Sequence, residues 1–165
     1  MFLCPARINR KVLSNGDIYL GDFKGELPHG KGKYMWSDGT VYDGEWEEGK
    51  MTGKGQIQWA AGPKYEGQFS GGYLHGFGTF THPDGSEYRG SWRMNIQHGL
   101  GKKQYPNLDS YEGCWKEGVH EGNGRYSWSN GNVYVSYTDF LQNNKVFIQK
   151  YENNTWKNIE GINLS

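Results

Sequence analysis

Tyrosine recurs along this chain at a constant spacing of 23 residues. A glycine lies two residues after each of the first five tyrosines, and a phenylalanine or tryptophan lies four residues after. Polar residues fill the positions between them. This alternation with a period of two predicts β-strands that bury an aromatic face and expose a polar one. The tyrosines are Tyr19, Tyr42, Tyr65, Tyr88, Tyr111 and Tyr134.

A second strand follows in each unit, and it carries a pair of glycines. Without side chains, glycines on the aromatic face leave room for a neighbouring ring to lie on the backbone, whereas elsewhere a strand glycine only weakens the sheet. In the second unit the alternation places four residues on the aromatic face, namely Gly53, Gly55, Ile57 and Trp59, and their polar neighbours on the other. The pairs are Gly30/Gly32, Gly53/Gly55, Gly76/Gly78, Gly99/Gly101 and Gly122/Gly124.

Turn sequences separate the units. SDGT (37–40), PDGS (83–86) and SNGN (129–132) contain Asp-Gly or Asn-Gly, which favour a two-residue hairpin turn with positive φ at both central positions. AAGP (60–63) is a weaker version of the same turn. PNLDS (106–110) lacks the glycine, so we expect that connection to differ.

The chain is therefore predicted to be all-β, an elongated single-layer antiparallel sheet of consecutive β-hairpin repeats. Residues 1–18 form an N-terminal segment with a partial repeat, in which 11–14 are a last strand. Five repeats fill 19–134, at 19–41, 42–64, 65–87, 88–110 and 111–133. Residues 135–165 diverge from the repeat pattern. We expect them to form either a tail or a cap, and in the cap 145–151 and 155–159 pair as a hairpin that covers the open edge of the sheet.

Composition narrows the function classes. Lys plus Arg and Asp plus Glu are 18 each, which argues against nucleic-acid binding. Cys4 and Cys114 form no disulfide or metal framework. The N-terminus lacks the apolar core of a signal peptide, and no run reaches the ~18 apolar residues of a membrane helix. We expect a cytoplasmic protein, peripheral at the plasma membrane if it binds lipid.

No catalytic constellation is visible. GEWEEGKM (44–51) approaches a phosphate-binding loop, but Met51 stands where that loop needs Ser or Thr, and no helix follows. His29, His75 and His98 share one repeat position. Equivalent positions in adjacent repeats lie roughly 9–10 Å apart, too far for shared zinc coordination. We expect no enzyme activity, no metal and no cofactor.

The polar face predicts alternating charge, with acids on first strands and bases on second strands. Cross-strand ion pairing explains this pattern, and we favour it over a ligand-binding patch. The basic residues that an anionic lipid or partner would contact are Lys31, Lys33, Lys54, Lys102, Lys103 and Arg125. The other face is aromatic. We expect most of its rings to be core and any exposed ring to be open to a partner. Its residues are Tyr42, Trp46, Trp59, Tyr65, Trp92, Tyr111, Trp115 and Trp128.

The unit YDGEWEEGKMTGKGQIQWAAGPK resembles the MORN repeat (membrane occupation and recognition nexus). The run from 38 to 132, including FSGGYLHGFGT and SWRMNIQHGLGKKQY, is similar to the N-terminal region of plant phosphatidylinositol-4-phosphate 5-kinases. Local departures from the repeat are Glu26, Asn95, Thr52, Glu121 and Leu108. The resemblance implies a membrane-associating or protein-binding module. The kinase reaction belongs to the lipid kinase domain of that family, and we expect the residues after 132 to be too few to form such a domain. The sequence leaves open whether the chain is a truncated product, an alternative transcript or a gene fragment.

Three function hypotheses remain open. The first is a non-catalytic scaffold that binds a protein partner, such as a lipid kinase domain, or an anionic phospholipid in phosphoinositide signalling. The second is a carbohydrate- or choline-binding module, since hairpin repeats rich in Trp and Tyr also form stacking platforms. The third is a regulatory fragment of a lipid kinase that carries the parent enzyme's activity, which would require an ATP site.

Overall fold

The computed structural model describes residues 9–139, 145–152 and 155–162. Within them the regular secondary structure is entirely β-strand, joined by turns. The chain divides into two compact units, Met1–Phe80 and Thr81–Ser165. In each unit every strand is hydrogen-bonded to the strands that precede and follow it in sequence. The prediction of an antiparallel sheet of consecutive hairpins is confirmed in each unit.

The first unit begins with a short strand that pairs with the first full repeat, as expected for a partial repeat. Lys11 lies opposite Tyr19 in this pairing. Two further hairpins follow it in this unit. The strands are β1 (Arg10–Val12), β2 (Ile18–Lys24), β3 (Leu27–Met35), β4 (Val41–Glu47), β5 (Lys50–Gln58), β6 (Lys64–Ser70) and β7 (Tyr73–Thr81).

The second unit continues with the same hairpins and ends with two strands outside the repeat pattern. The last hairpin places Tyr151 opposite Trp156 and Glu152 opposite Thr155, and its first strand pairs with the strand before it. The strands are β8 (Glu87–Arg93), β9 (Ile96–Gln104), β10 (Ser110–Lys116), β11 (Val119–Ser127), β12 (Val133–Asp139), β13 (Lys145–Glu152) and β14 (Thr155–Ile162).

The repeated tyrosine lies flat over a cross-strand pair of glycines. Tyr42 is 0 % exposed, and Gly44 lies opposite Gly55 beneath its ring. A Cβ added at Gly55 would come within 2.5 Å of the Tyr42 hydroxyl oxygen, closer than any real Cβ contact. The hydroxyl donates a hydrogen bond to the Glu45 carbonyl at 3.0 Å. The prediction that the glycines on the aromatic face leave room for a ring to lie on the backbone is confirmed at Gly44 and Gly55.

The same arrangement recurs in all five repeats. The tyrosine hydroxyl donates to the carbonyl three residues later, at 2.9–3.1 Å. Burial raises the pKa of Tyr19, Tyr65 and Tyr88 to about 12. The phenols therefore stay neutral donors at physiological pH.

Aromatic rings link each repeat to the next within a unit. The Tyr42 ring meets Trp46 of its own repeat edge-on, with ring centroids 5.1 Å apart, and Phe69 of the next repeat at 5.0 Å. In the second unit Tyr88 contacts Trp92 at 5.1 Å and Trp115 at 5.0 Å. Edge-to-face pairs of this kind add about 0.5–1.5 kcal/mol each beyond burial.

The first glycine of each pair has a different role from the one predicted. Gly53 has φ +54°, and a Cβ on it would collide with the Glu45 carboxylate on the polar face. The register shifts here, because Gly44 lies opposite Gly55 while Glu45 lies opposite Thr52. The extra residues form a β-bulge that only glycine adopts without strain. The prediction that Gly53 shares the aromatic face of Gly55 was therefore wrong.

The turns between repeats also differ from the prediction. In the Asp38-Gly39 turn only the glycine has positive φ, at +93°. The Gly39 N–H donates to the Trp36 carbonyl at 3.0 Å, and the Trp36 N–H donates to the Thr40 carbonyl at 2.9 Å. This is a turn closed by one left-handed residue. Two consecutive positive φ values occur instead inside the repeats, as at Glu48 (+48°) and Gly49 (+78°).

Leu108 replaces the turn glycine but keeps the turn. Its φ is +67°, its N–H donates to the Tyr105 carbonyl at 3.0 Å, and the Tyr105 N–H donates to the Asp109 carbonyl at 2.8 Å. The expectation that this connection differs was wrong. The leucine side chain is 73 % exposed, so it meets no obstacle, and the turn's hydrogen bonds outweigh the backbone strain.

We predict that Leu108→Gly stabilises the protein. Relief of the left-handed strain, about 1–2 kcal/mol, exceeds the extra chain entropy of glycine by roughly 0.5–1 kcal/mol. The reciprocal change at the equivalent position one repeat earlier, Gly85→Leu, should destabilise, since Gly85 has φ +85° and open space around its Cβ direction. Urea unfolding midpoints measure both variants, and a midpoint lowered by Leu108→Gly would contradict the prediction.

Candidate functional site

Half-exposed rings lie at one repeat position, directly after the second strand. We call these residues the ring row, which consists of Trp36 and Trp59 in the first unit and, taken separately, of Tyr105 and Trp128 in the second. Trp36, Trp59 and Tyr105 are half-buried, and Trp128 is 36 % exposed. Each ring of the row rests on a neighbouring aromatic ring, so the row is held in place and still accessible.

Six of the eight aromatic residues singled out in the sequence form the core. They are Tyr42, Trp46, Tyr65, Trp92, Tyr111 and Trp115, each at most 7 % exposed. The other two, Trp59 and Trp128, belong to the ring row. The ring of Trp59 packs against Phe80 with centroids 5.4 Å apart, and that of Trp128 against Tyr126 at 4.7 Å. Only these two remain available to a partner.

Two buried carboxylates that sequence reasoning missed support the ring row. Asp109 is 6 % exposed and accepts hydrogen bonds from the Ser129 N–H at 2.8 Å and the Tyr126 hydroxyl at 3.2 Å. These bonds, led by that from Ser129, lower the pKa of Asp109. Asp109 thereby ties its own turn to the turn after Trp128, one repeat later.

Asp17 makes the same contacts in the first unit. It accepts from the Tyr34 hydroxyl at 2.7 Å and the Ser37 N–H at 2.8 Å, and the Tyr34 bond is the main cause that lowers its pKa. The recurrence of an acid at the residue before the first strand was visible in the sequence. Its burial was not, since Asp in a turn ordinarily points to solvent.

Four of the five predicted basic residues on the polar face lie opposite acidic ones, and Lys54 is the exception. Lys33 reaches Asp43 at 3.9 Å and Lys102 reaches Glu112 at 4.0 Å. In register, Lys31 lies opposite Glu45 and Arg125 opposite Glu112. Lys54 lies opposite Gln68, and its backbone N–H donates to Glu45 at 3.1 Å. The contacts of Lys33 and Lys102 are the cross-strand pairs favoured from the sequence, and exposed pairs of this kind contribute about 0–1 kcal/mol.

Lys103 does not share a surface with the other five basic residues. It lies opposite Tyr111 on the aromatic face, with its Nζ atom 5.1 Å from the centroid of the Tyr105 ring. Its repeat position is held by Tyr34, Ile57 and Phe80 elsewhere. The structure therefore divides the predicted basic set between the two faces of the sheet.

Metal-ligating groups are dispersed in the part of the chain that the structure describes. There, no three His, Cys, Asp or Glu side chains come together in a way that could hold a metal ion. The Nδ1 atom of His29 is buried without a hydrogen-bond partner, while His75 is exposed. Across the same described residues, no helix is long and apolar enough to cross a bilayer.

The sequence model of the MORN repeat matches residues 19–41, 42–63, 65–87, 88–110 and 111–133, which is more than half of the chain. The chain belongs to the MORN-repeat family. The tyrosine, glycine and aromatic positions that build its core are thus those of the MORN unit. No residue of these repeats takes a catalytic role from the match.

Curated relatives of this MORN chain match over short segments. It is 69 % identical over 26 residues to phosphatidylinositol 4-phosphate 5-kinase 8 of Arabidopsis thaliana, covering 16 % of this chain and 3 % of the kinase. It is 65 % identical over 26 residues to phosphatidylinositol 4-phosphate 5-kinase 1 of rice, again 16 % and 3 %. The matches lie in the short N-terminal region of these plant kinases. The chain thus covers only a few per cent of the length of these relatives.

A solved structure shares the fold. The SAS-4 (dCPAP) TCP domain of Drosophila melanogaster, in complex with a proline-rich motif of Ana2 (dSTIL), aligns with a TM-score of 0.52 and 11 % identity. The alignment covers 96 % of this chain and 93 % of that chain. At this identity the likeness shows the fold alone.

We predict that Asp109→Asn destabilises the MORN chain at pH 7 and makes its stability less sensitive to acid. A carboxylate with a lowered folded pKa contributes stability above its unfolded pKa of about 3.9 and loses it as pH falls through the folded value. The urea midpoints of wild type and variant should therefore differ by a constant amount above pH ~5 and converge below pH ~4. A difference that stays constant as the pH is lowered below ~4 would contradict this role.

Proposed function

We propose that this MORN chain is a non-catalytic interaction module that binds a protein partner through its ring row. The half-buried rings of Trp36 and Trp59 carry the proposal in the first unit, and the rings of Tyr105 and Trp128 support it in the second. Tyr and Trp are enriched in protein interfaces because they bury a large area at low entropic cost. Rings already packed on one side lose little further freedom on binding.

The charges of the polar face support an aromatic rather than an electrostatic contact. Lys33 and Lys102 already have carboxylate partners. The chain carries 18 basic and 18 acidic residues. Long-range attraction to a charged partner is therefore weak, and affinity has to come from burial of apolar surface.

The relatives suggest the setting of this binding. Because the matched segments belong to phosphatidylinositol 4-phosphate 5-kinases, the proposal assigns the module to phosphoinositide signalling, with a lipid kinase domain as its partner. The TCP domain, which was solved with a bound proline-rich motif, supports the idea that a sheet of this fold can receive a peptide.

Trp59→Ala should weaken binding to the kinase domain of the Arabidopsis relative by at least about ten-fold, the effect of losing an interface hot spot. Isothermal titration calorimetry with the full 165-residue chain measures the affinity. Tyr73→Ala is the matched control, because Tyr73 is a 46 % exposed ring in the same unit but outside the ring row.

Equal affinity for Trp59→Ala and wild type, with the fold intact by circular dichroism, would remove the ring row from the interface. Transfer of phosphate from ATP to phosphatidylinositol 4-phosphate by the purified chain alone would overturn the non-catalytic assignment.

A second candidate function is peripheral binding to anionic phospholipid at the plasma membrane. It is favoured by Lys31 and Lys54, which are exposed and whose Nζ atoms have no carboxylate within 4.0 Å among the described residues. Each lysine near an anionic bilayer contributes about 1 kcal/mol. A few such contacts give only weak, salt-sensitive adsorption.

For this second candidate, reversal of charge at Lys31, Lys33 and Lys54 should abolish co-sedimentation with vesicles of phosphatidylcholine containing phosphatidic acid or phosphatidylinositol 4-phosphate. Reversal at Lys24, Lys50 and Lys64 changes net charge equally in the same unit and serves as control. If the two triple reversals reduce binding equally, or if binding disappears at physiological salt, the role of Lys31, Lys33 and Lys54 is cross-strand pairing and not lipid binding.

A further inference from the structure

An open pocket of about 390 Å³ lies beside the tyrosine of the fifth repeat, within the second unit. Its walls include the rings of Tyr111, Tyr126 and Trp128, and its floor includes Gly122 and Gly124. Tyr126 is half-buried and Trp128 is 36 % exposed. The lining also includes His120, Glu121, Tyr134 and Ser136, so the pocket combines aromatic faces and bare backbone with polar side chains, which suit a flat group that carries a hydrogen-bond donor.

Other repeats show what occupies this place. The Tyr19 ring is covered by Trp46 of the following repeat, with centroids 5.5 Å apart and planes at 84°. Tyr42 is covered by Phe69 at 5.0 Å and 82°, and Tyr88 by Trp115 at 5.0 Å and 83°. A ring of the next repeat is therefore the standard neighbour of each core tyrosine.

Tryptophan at this place also makes a specific hydrogen bond. The Trp46 indole Nε1–H donates to the Gly32 carbonyl at 2.9 Å, and the Trp115 Nε1–H donates to the Gly101 carbonyl at 3.2 Å. The corresponding carbonyl in the fifth repeat belongs to Gly124, in the pocket floor. The site therefore combines a ring face with a matched acceptor for an indole N–H.

After the fifth repeat, the sequence supplies no such ring. Ser136 stands at the glycine position and Thr138 at the aromatic position. The Ser136 hydroxyl donates to the Gly122 carbonyl at 2.9 Å, and it also lies 3.5 Å from the Gly124 carbonyl, a longer contact that an indole N–H would replace. The register of β11 with β12 extends over four residue pairs, while β9 with β10 extends over six. Within the residues that the structure describes, the sheet thus continues without a ring at this repeat position.

His120 covers another part of Tyr111. Its ring stacks on the tyrosine with centroids 3.5 Å apart and planes at 9°, and it meets Trp115 edge-on at 4.5 Å. Burial and the nearby Lys103 lower the pKa of His120, so the neutral imidazole acts as an apolar wall. Tyr111 is consequently 6 % exposed although its repeat lacks the following ring.

We propose that this pocket receives a tryptophan side chain from a protein partner, which takes the place that the next repeat's ring holds elsewhere. This inference rests on the proposed function as a protein-binding module and specifies one contact of it. The indole packs edge-on against Tyr111, contacts Trp128, and donates its N–H to the Gly124 carbonyl. A leucine side chain fills the volume less well and lacks the donor.

The test uses the full chain labelled with ¹⁵N and N-acetyl-tryptophanamide as probe, followed by NMR. Saturable shifts should centre on the amides of Gly122 and Gly124 and on the indole N–H of Trp128. N-acetyl-leucinamide at the same concentrations should produce much smaller shifts. Shifts spread over the molecule, or equal shifts with both probes, would overturn the proposal.

Two variants test the site itself. Thr138→Trp restores an indole at the repeat position that Trp46 and Trp115 hold, so it should raise the melting midpoint and abolish probe binding. Trp128→Ala should weaken probe binding about ten-fold, as loss of a central aromatic contact does. Tyr73→Ala removes an exposed ring of the first unit that lies outside the ring row, and it should leave probe affinity unchanged.

Probe binding retained by Thr138→Trp would show that the indole binds elsewhere and would overturn the proposal. If the wild-type chain forms a concentration-dependent dimer and Trp128→Ala is monomeric, a second copy of the chain occupies the pocket. That result would also overturn the proposal. Because the probe needs no partner protein, its binding is independent of the kinase-domain titration. A positive probe result with a negative titration would reject the proposed partner but keep the pocket.

Discussion

The core of this protein depends on a tyrosine ring that lies on bare backbone. A single sheet has no second layer against which to bury its apolar face. The glycine pairs solve this problem, because the absence of Cβ atoms lets each ring lie directly against the strands. A methyl group on Gly32 or Gly55 would strike the ring above it. The phenol then satisfies its own hydrogen-bonding demand with a carbonyl three residues away.

The second requirement of this core is a ring from the following repeat. Rings meet edge-to-face at about right angles, and the indole N–H of Trp46 or Trp115 returns to a glycine carbonyl of the preceding repeat. Such nearest-neighbour coupling makes stability a sum over repeat interfaces. In the fifth repeat, the following sequence has Thr138 where a ring would be expected, and the pocket beside Tyr111 lies at this repeat.

The two faces of the sheet offer different kinds of contact. Charges on the polar face form cross-strand pairs such as Lys33 with Asp43, so much of their field is cancelled locally. The aromatic face is closed along its centre and accessible along the ring row, where Trp59 and Trp128 are supported from beneath. The surface that we propose for binding therefore lies at the ends of the second strands, and the carboxylates of Asp17 and Asp109 hold the neighbouring turns in place.

The sequence by itself determined the repeat, the strand order and the tyrosine core, because a strict period of 23 with two-residue alternation admits one set of strands. It also indicated the ion pairs of Lys33 and Lys102. Only the tertiary structure decided the bulge at Gly53, the left-handed Leu108, the burial of Asp109 and the position of Lys103. Each depends on register shifts and contacts between strands of neighbouring repeats, which local residue preferences do not encode.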